Sequence, residues 1–279
     1  MSTLQVQGLW VYPVKSFQGM RVPRWPVEPL GLRFDRRWML VDPQGRFLSQ
    51  RRLPAMARLR AYLAYHDAQA GHPRLVLYDA AGEAFEVPMP NPTGPRLRVR
   101  VWKDEVEALW VSREADAWLA ARLGADVRLV YFPDDAHRPL SPRYGYPGEG
   151  TTFTDGYPIL LITQGSLDDL NRRLTQPVGA ERFRPNVLLG PTEPYAEDTW
   201  HRIRIGRVSV RVVKPCTRCV ITTLDPRTGQ RLGKEPLATL ATYRRGRGGV
   251  LFGQNAVPEG EGLWEVGQRV TVLRARGAW

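Results

Sequence analysis

Both cysteines of this chain fall in one segment, Val212-Val213-Lys214-Pro215-Cys216-Thr217-Arg218-Cys219-Val220-Ile221-Thr222-Thr223-Leu224-Asp225-Pro226-Arg227-Thr228-Gly229. The β-branched alternation from Arg207 to Val213 predicts a strand before them, and Val220 to Leu224 predicts a second short strand after them. Asp225 to Gly229 has turn chemistry. The thiols are therefore expected on a tight connection between two strands, stiffened by Pro215, with Arg218 directly beside Cys219. A neighbouring guanidinium favours an ionised sulfur, which is both the nucleophile and the metal ligand. From the residues alone several readings stand open. A Cys-x-x-Cys pair serves as a redox dithiol, though such a pair normally opens a helix in a βαβ unit and none is visible here. It also serves as half a zinc site, but no second cysteine pair completes one, and His66, His72, His137 and His201 lack ligand spacing. Two buried structural cysteines are the third reading.

The elements that must hold this segment are mostly strands. The chain has 279 residues, enough for one large domain or two ordinary ones, with 43% hydrophobic and 24% charged residues, a soluble globular balance. No apolar run is long enough to span a membrane. Leu4 to Pro13 predicts a strand, and Gly31 to Ser49 a hairpin turning at Asp42-Pro43-Gln44-Gly45. Short strands with turns between them fill Arg58 to Trp110, which argues for a barrel or sandwich. Ser112 and Gly124 bracket a helix whose inner face is Ala115, Trp118, Leu119 and Leu123, and the domain boundary is placed at this helix. Val127 to Phe132 predicts a strand. Residues 134–150 form a long irregular loop, expected to face a substrate. Ile159 to Thr163 is a strand and Gln164 to Leu174 an amphipathic helix. Lys234 to Tyr243 is a helix with proline near its start, and Leu251 to Asn255 and Val266 to Leu273 are the last strands.

The net charge is +12, and 36 of the 40 basic residues are arginines. They are spread along the chain and show no signature of a nucleic-acid module. Nucleic acid is not the expected partner. A phosphorylated cofactor or an acidic redox protein suits the charge better.

Lys-Pro-Cys-Thr-Arg-Cys followed by Ile-Thr-Thr-Leu-Asp-Pro-x-Thr-Gly resembles the signature of the MOSC domain. More narrowly it resembles the branch that contains the mitochondrial amidoxime-reducing component and its bacterial relatives. By motif position the resemblance implies that Cys219 binds molybdenum of a molybdopterin cofactor, with Thr217 and Arg218 beside it. Tyr12-Pro13-Val14-Lys15-Ser16 resembles the start of the N-terminal β-barrel domain of that branch, which implies cofactor contacts from Lys15 and Ser16, a point charge and a hydroxyl donor. Asp35-Arg36-Arg37-Trp38 implies a contact from Arg36, with Arg37 the alternative if the register slips, and Arg51 carries a weaker expectation. Phe153 to Thr163 implies contacts from Thr154, Asp155 and Tyr157. Phe183-Arg184-Pro185-Asn186 implies Arg184, which can clamp a phosphate with two parallel hydrogen bonds, and Asn186, which can read a pterin edge or pin the loop.

The resemblance runs the length of the chain. It implies an α+β, β-rich fold of two tandem β-barrel-like domains with a few short helices, residues 1–111 and 112–279, and a cofactor site between them. It implies a molybdenum-cofactor-dependent oxidoreductase that reduces N-hydroxylated compounds. Its electrons would come from a separate cytochrome- or ferredoxin-type donor with its reductase. The mitochondrial relatives carry an N-terminal membrane anchor. Without one in this sequence, the expected location is the cytoplasm. A sulfur-carrier or sulfurtransferase role, with a persulfide on Cys219, is the alternative. A basic binding module without chemistry is the third.

Overall fold

The computed structural model describes residues 3–64 and 74–277. His66 and His72 lie outside them. In chain order the strands and helices are β1 (Gln5–Val11), β2 (Met20–Val22), β3 (Arg24–Glu28), β4 (Gly31–Leu32), β5 (Trp38–Val41), β6 (Arg60–Ala64), β7 (Arg74–Tyr78), β8 (Ala84–Val87), β9 (Arg96–Val101), β10 (Asp104–Trp110) and α1 (Arg113–Leu123). They continue with β11 (Arg128–Tyr131), β12 (Ile159–Thr163), α2 (Gln164–Arg173), β13 (Val187–Gly190), β14 (Trp200–Ile205), β15 (Val208–Arg218), α3 (Leu237–Tyr243), β16 (Arg245–Gly246), β17 (Gly249–Glu259), β18 (Gly262–Glu265) and β19 (Val270–Ala275).

The fold is β-rich, as expected, with only three α-helices among the described residues. Its largest sheet runs β19-β14-β15-β17-β12-β13-β1-β2. Backbone bonds from Val6 N–H to the Gln268 carbonyl and from Val270 N–H to the Leu4 carbonyl draw the far edge back to β1. Closing a sheet this way removes exposed strand edges. A four-stranded sheet runs β5-β11-β10-β9, and two three-stranded sheets run β18-β3-β4 and β6-β7-β8. The first strand of the chain thus sits among C-terminal strands, and β11, beyond α1, pairs with β5 and β10. Alternating inward residues such as Leu75 and Leu77 on β7, and Ile203 and Ile205 on β14, join the main core with Trp38 and Trp264.

The predicted caps of α1 are present. The Ser112 hydroxyl accepts from Ala115 N–H at 3.1 Å, and Gly124 ends the helix at φ 62°. Four expectations need correction. Residues 33–37 form a turn rather than a strand, because Phe34 and Arg36 hold left-handed φ values of 64° and 49°. The helix expected from Lys234 starts at Leu237, directly after Pro236, and the last strand starts at Val270, after a turn at Gly267. Val220 to Leu224 is not a strand but a 3-10 turn at Val220–Thr223. There the Thr222 and Thr223 hydroxyls donate to the Cys219 and Val220 carbonyls, offering the backbone an alternative to a ladder.

A buried carboxyl group anchors the start of α2. Glu197 is fully buried and accepts from the Thr163 and Ser166 hydroxyls at 2.7 and 2.8 Å. Burial raises its pKa in spite of these donors. A carboxyl group whose folded pKa lies above its unfolded value stabilises fully below the unfolded pKa and loses that stabilisation as pH rises through the folded one. Glu197→Gln stays neutral throughout. It is expected to melt with the wild type at about pH 4 and above it at about pH 8. Parallel melting curves of the two proteins across that range would remove this account.

Candidate cofactor and substrate cavity

Lys15, Ser16, Arg36, Thr154, Asp155, Tyr157, Arg184, Asn186, Thr217, Arg218 and Cys219 all line one cavity of about 840 Å³. The fallback Arg37 does not. It donates to the Phe132 carbonyl and pairs with Asp134. Three lysines and six arginines line the cavity against two carboxylates, Asp104 and Asp155. Such a surplus of like charge attracts an anion.

Backbone stitching brings distant segments to this place. Lys15 N–H bonds the Trp38 carbonyl, Arg36 N–H bonds the Tyr12 carbonyl, and Phe153 N–H bonds the Arg36 carbonyl. The Thr152 hydroxyl donates to the Asp35 carbonyl at 2.9 Å. Ser16, Arg36 and Arg184 all adopt left-handed φ, at 71°, 49° and 55°. Each costs on the order of 1 kcal/mol in a residue with a side chain, and such residues cluster at ligand sites.

Lys15 is buried, and its ammonium donates to Asp155 at 2.7 Å and to the Phe153 carbonyl at 2.8 Å. Burial lowers its pKa although Asp155 opposes this. Desolvation works against charge on Asp155 as well, but Lys15 wins and holds that carboxyl well below the usual range. The Asp155 side chain is 71% exposed, so the cavity's own solvent screens the pair. The Ser16 side chain makes no hydrogen bond with the described residues. Thr154 is buried, and its hydroxyl is shared with Thr151 at 2.7 Å.

Arg36 and Arg184 share the ring of Tyr12, with guanidinium carbons 4.1 and 4.3 Å from its centroid. Arg36 pairs with the buried Asp35, and Arg184 donates to the Phe17 carbonyl at 2.7 Å. Burial, and then repulsion from Arg36, lower the pKa of Arg184 to about 10. Two close guanidinium groups with one carboxylate between them form a pair that an incoming anion would relieve.

Asn186 is buried, and its carbonyl accepts from Leu160 N–H at 3.0 Å while its amide donates to the Trp10 carbonyl at 3.3 Å. Of the two roles open to it from sequence, this hydrogen bonding is that of a pin.

The cysteine segment departs from its expected shape. β15 runs on through Cys216 to Arg218, pairing with β17, and its register shifts between Val212 and Lys214 and again between Pro215 and Thr217. Bulges of this kind re-aim side chains, and proline is tolerated at them. Arg218 turns its guanidinium to Cys216, at 3.0 Å from Sγ, rather than to its neighbour Cys219. Alternation along a strand puts residues two apart on one face, which adjacency in sequence conceals. Arg218 also donates to the Phe183 carbonyl at 2.7 Å, and its buried Nε has no hydrogen-bond partner among the described residues. The guanidinium on Cys219 comes from Arg51, 3.2 Å from Sγ and stacked 4.7 Å from the ring centroid of Trp102. Arg51 carried only a weak signal in sequence, and Trp102, at a hairpin tip, carried none. Arg138 was also missed. It is buried and ties Asp104 at that tip to the Thr152 and Thr154 carbonyls. Among the described residues no three His, Cys, Asp or Glu side chains gather as a metal site. The soft metal donors in the cavity are the two thiols.

The fold and the cavity together define a β-rich class of protein in which a thiol segment at the end of an inner strand of the largest sheet lines a strongly cationic cavity, lined from both the N- and C-terminal parts of the chain. The MOSC N-terminal beta barrel domain family matches residues 3–126 and the MOSC domain family matches residues 149–271, and the chain belongs to the MOSC-domain family. It is 34% identical to mitochondrial amidoxime-reducing component 1 of Mus musculus over 286 residues, which cover 96% of this chain and 82% of that protein. It is 32% identical to the Homo sapiens protein of the same name, again over 96% and 82%. It is also 31% identical to a molybdenum cofactor sulfurase of Oryza sativa subsp. japonica, over 97% of this chain but only 36% of that protein. No helix among the described residues is long and apolar enough to cross a membrane.

Proposed function

We propose that the protein is a molybdenum-cofactor-dependent oxidoreductase that reduces N-hydroxylated compounds, with Cys219 as the protein ligand to the metal. The observation that carries this reading is the convergence of an accessible thiol with a surplus of cations in one cavity. The donor set fits a metal that brings most of its ligands with it: a thiol, part-buried guanidinium groups short of counter-charge, and an Arg218 Nε without a partner among the described residues. Arg36, Arg184 and Arg218 would hold the phosphate and dithiolene charge of the pterin. The Ser16 hydroxyl would donate to it, and Lys15, clamped by Asp155, would orient the strand end from which that hydroxyl projects. Arg51 donates to the Cys219 sulfur and is held in place by Trp102, so the sulfur keeps one orientation. When bound, the cofactor supplies oxygen-atom and electron chemistry that side chains lack.

A separate donor protein would supply the electrons, and an acidic face on it would suit the net charge of +12. A cytoplasmic location belongs to the same proposal. The names of the amidoxime-reducing relatives support the substrate class, and the sulfurase names keep a persulfide on Cys219 as the competing chemistry. The deciding experiment is the molybdenum and pterin content of protein made in a host that synthesises the cofactor, with benzamidoxime reduction measured alongside. Stoichiometric molybdenum and turnover are expected. A well-folded protein with neither metal nor pterin would overturn the reading in favour of the persulfide.

A further inference from the structure

Among the described residues, two of the cations that line the cavity, Lys103 and Lys214, meet neither a hydrogen-bond acceptor nor a carboxylate. Lys103 is exposed at a hairpin tip. Lys214 is half-buried, and its ammonium lies 5.4 Å from the ring centroid of Tyr144 and 5.6 Å from that of Tyr157. The two rings meet edge to face, 6.4 Å apart. Aromatic faces hold an ammonium in place without neutralising it and leave its N–H groups free to donate.

The placement is set by the fold. The first register shift of β15 falls between Val212 and Lys214, where the strand enters the thiol segment. Tyr144 comes from the irregular loop of residues 134–150. Arg211 fixes that loop through the Tyr144 carbonyl at 2.7 Å, and Leu140, Val213 and Val257 pack beneath it. The cations on Tyr12 and the Arg218 guanidinium on Phe183 belong to a different wall of the same cavity. Burial, and then Tyr144, push the Tyr157 hydroxyl up to about 12, so it too remains a donor at neutral pH.

We infer that Lys214, held between Tyr144 and Tyr157, is an anion subsite for substrate, and that the enzyme favours N-hydroxylated compounds that carry a carboxylate or phosphate substituent. This inference rests on the reading of the cavity as a reductase site. It assigns Lys214 to specificity rather than to the cofactor.

The test compares benzamidoxime with its para-carboxylate derivative on wild type, Lys214→Met and Lys214→Arg, each loaded with cofactor. Methionine keeps an apolar stem against the two rings and removes the charge. The ratio of kcat/KM for the carboxylate over the parent compound is expected to fall about tenfold in Lys214→Met, the effect of one charge-assisted contact, and to recover in Lys214→Arg. Calorimetric binding of the carboxylate compound to the loaded protein gives a readout without turnover and is expected to weaken by the same factor. A ratio that does not change would overturn the subsite, and so would a loss of molybdenum in Lys214→Met, which would assign the lysine to the cofactor. If wild type reduces neither compound, the reductase reading fails. Calorimetry then decides the subsite alone, standing if Lys214→Met weakens binding of the carboxylate compound and falling if it does not.

Discussion

Cys219→Ser is expected to abolish N-reduction and to strip molybdenum from the protein, while Cys216→Ala keeps both. The two thiols line the same cavity, yet their surroundings differ. Cys219 directly follows β15 and precedes the 3-10 turn, in extended backbone, with Arg51 on its sulfur. Cys216 sits in the second register shift of β15 and takes one N–H of Arg218, whose other end is fixed to the Phe183 carbonyl. Losing Cys216 therefore frees one guanidinium N–H and leaves the anchor of Arg218 in place. Losing Cys219 removes a soft donor that the cavity has no other means of presenting at that point. The loss should exceed the 10–100-fold that changes beyond the metal ligands typically cost. Metal analysis and steady-state rates on the two variants check this. Equal damage in both would show that the thiols act as a pair, and unimpaired Cys219→Ser would end its assignment as ligand.

The second large effect concerns stability. Asn186 precedes β13, which lies between β12 and β1, and its side chain bonds the backbone of both outer strands. Its own backbone continues the pattern, donating to the Leu160 carbonyl at 2.8 Å and accepting from Trp10 N–H at 3.0 Å. Asn186→Ala would orphan the part-buried Leu160 N–H and the buried Trp10 carbonyl. At roughly 1–3 kcal/mol for each unsatisfied group, the expected loss is about 2–6 kcal/mol. In melting temperature that is on the order of 5–15 °C. Denaturant titration gives the number directly, and a loss below about 1 kcal/mol would mean that the side chain is not a pin.

Much of this site is legible in the sequence because its signals are local. The caps of α1, the alternation in β9 and the cysteine segment each stand in a few consecutive residues. The lines of inference that failed depended on direction or distance. Arg218 adjoins Cys219 along the chain but faces Cys216 in space, since alternation along β15 is a property of the strand and not of the pair. Arg51 reaches Cys219 across 168 positions. The left-handed conformations of Ser16, Arg36 and Arg184 carry no glycine to announce them; the surrounding hydrogen bonds impose them. The same two threonines that suggest β-propensity after Val220 in sequence, Thr222 and Thr223, fold back on the main chain instead.

The place of β17 in the large sheet has a consequence for the order of assembly. It is the strand that joins β15, with its thiols, to β12, β13 and β1, whose ends carry the cations. Until residues 249–259 are in register, the two sides of the cavity belong to separate pieces of sheet. Pairings between residues so far apart in the chain form late, after the entropy of closing large loops has been overcome. A ribosome must therefore release residues 249–259 before the cavity exists. Under the proposed function, the cofactor would enter a folded protein from solution rather than serve as a template around which the chain folds.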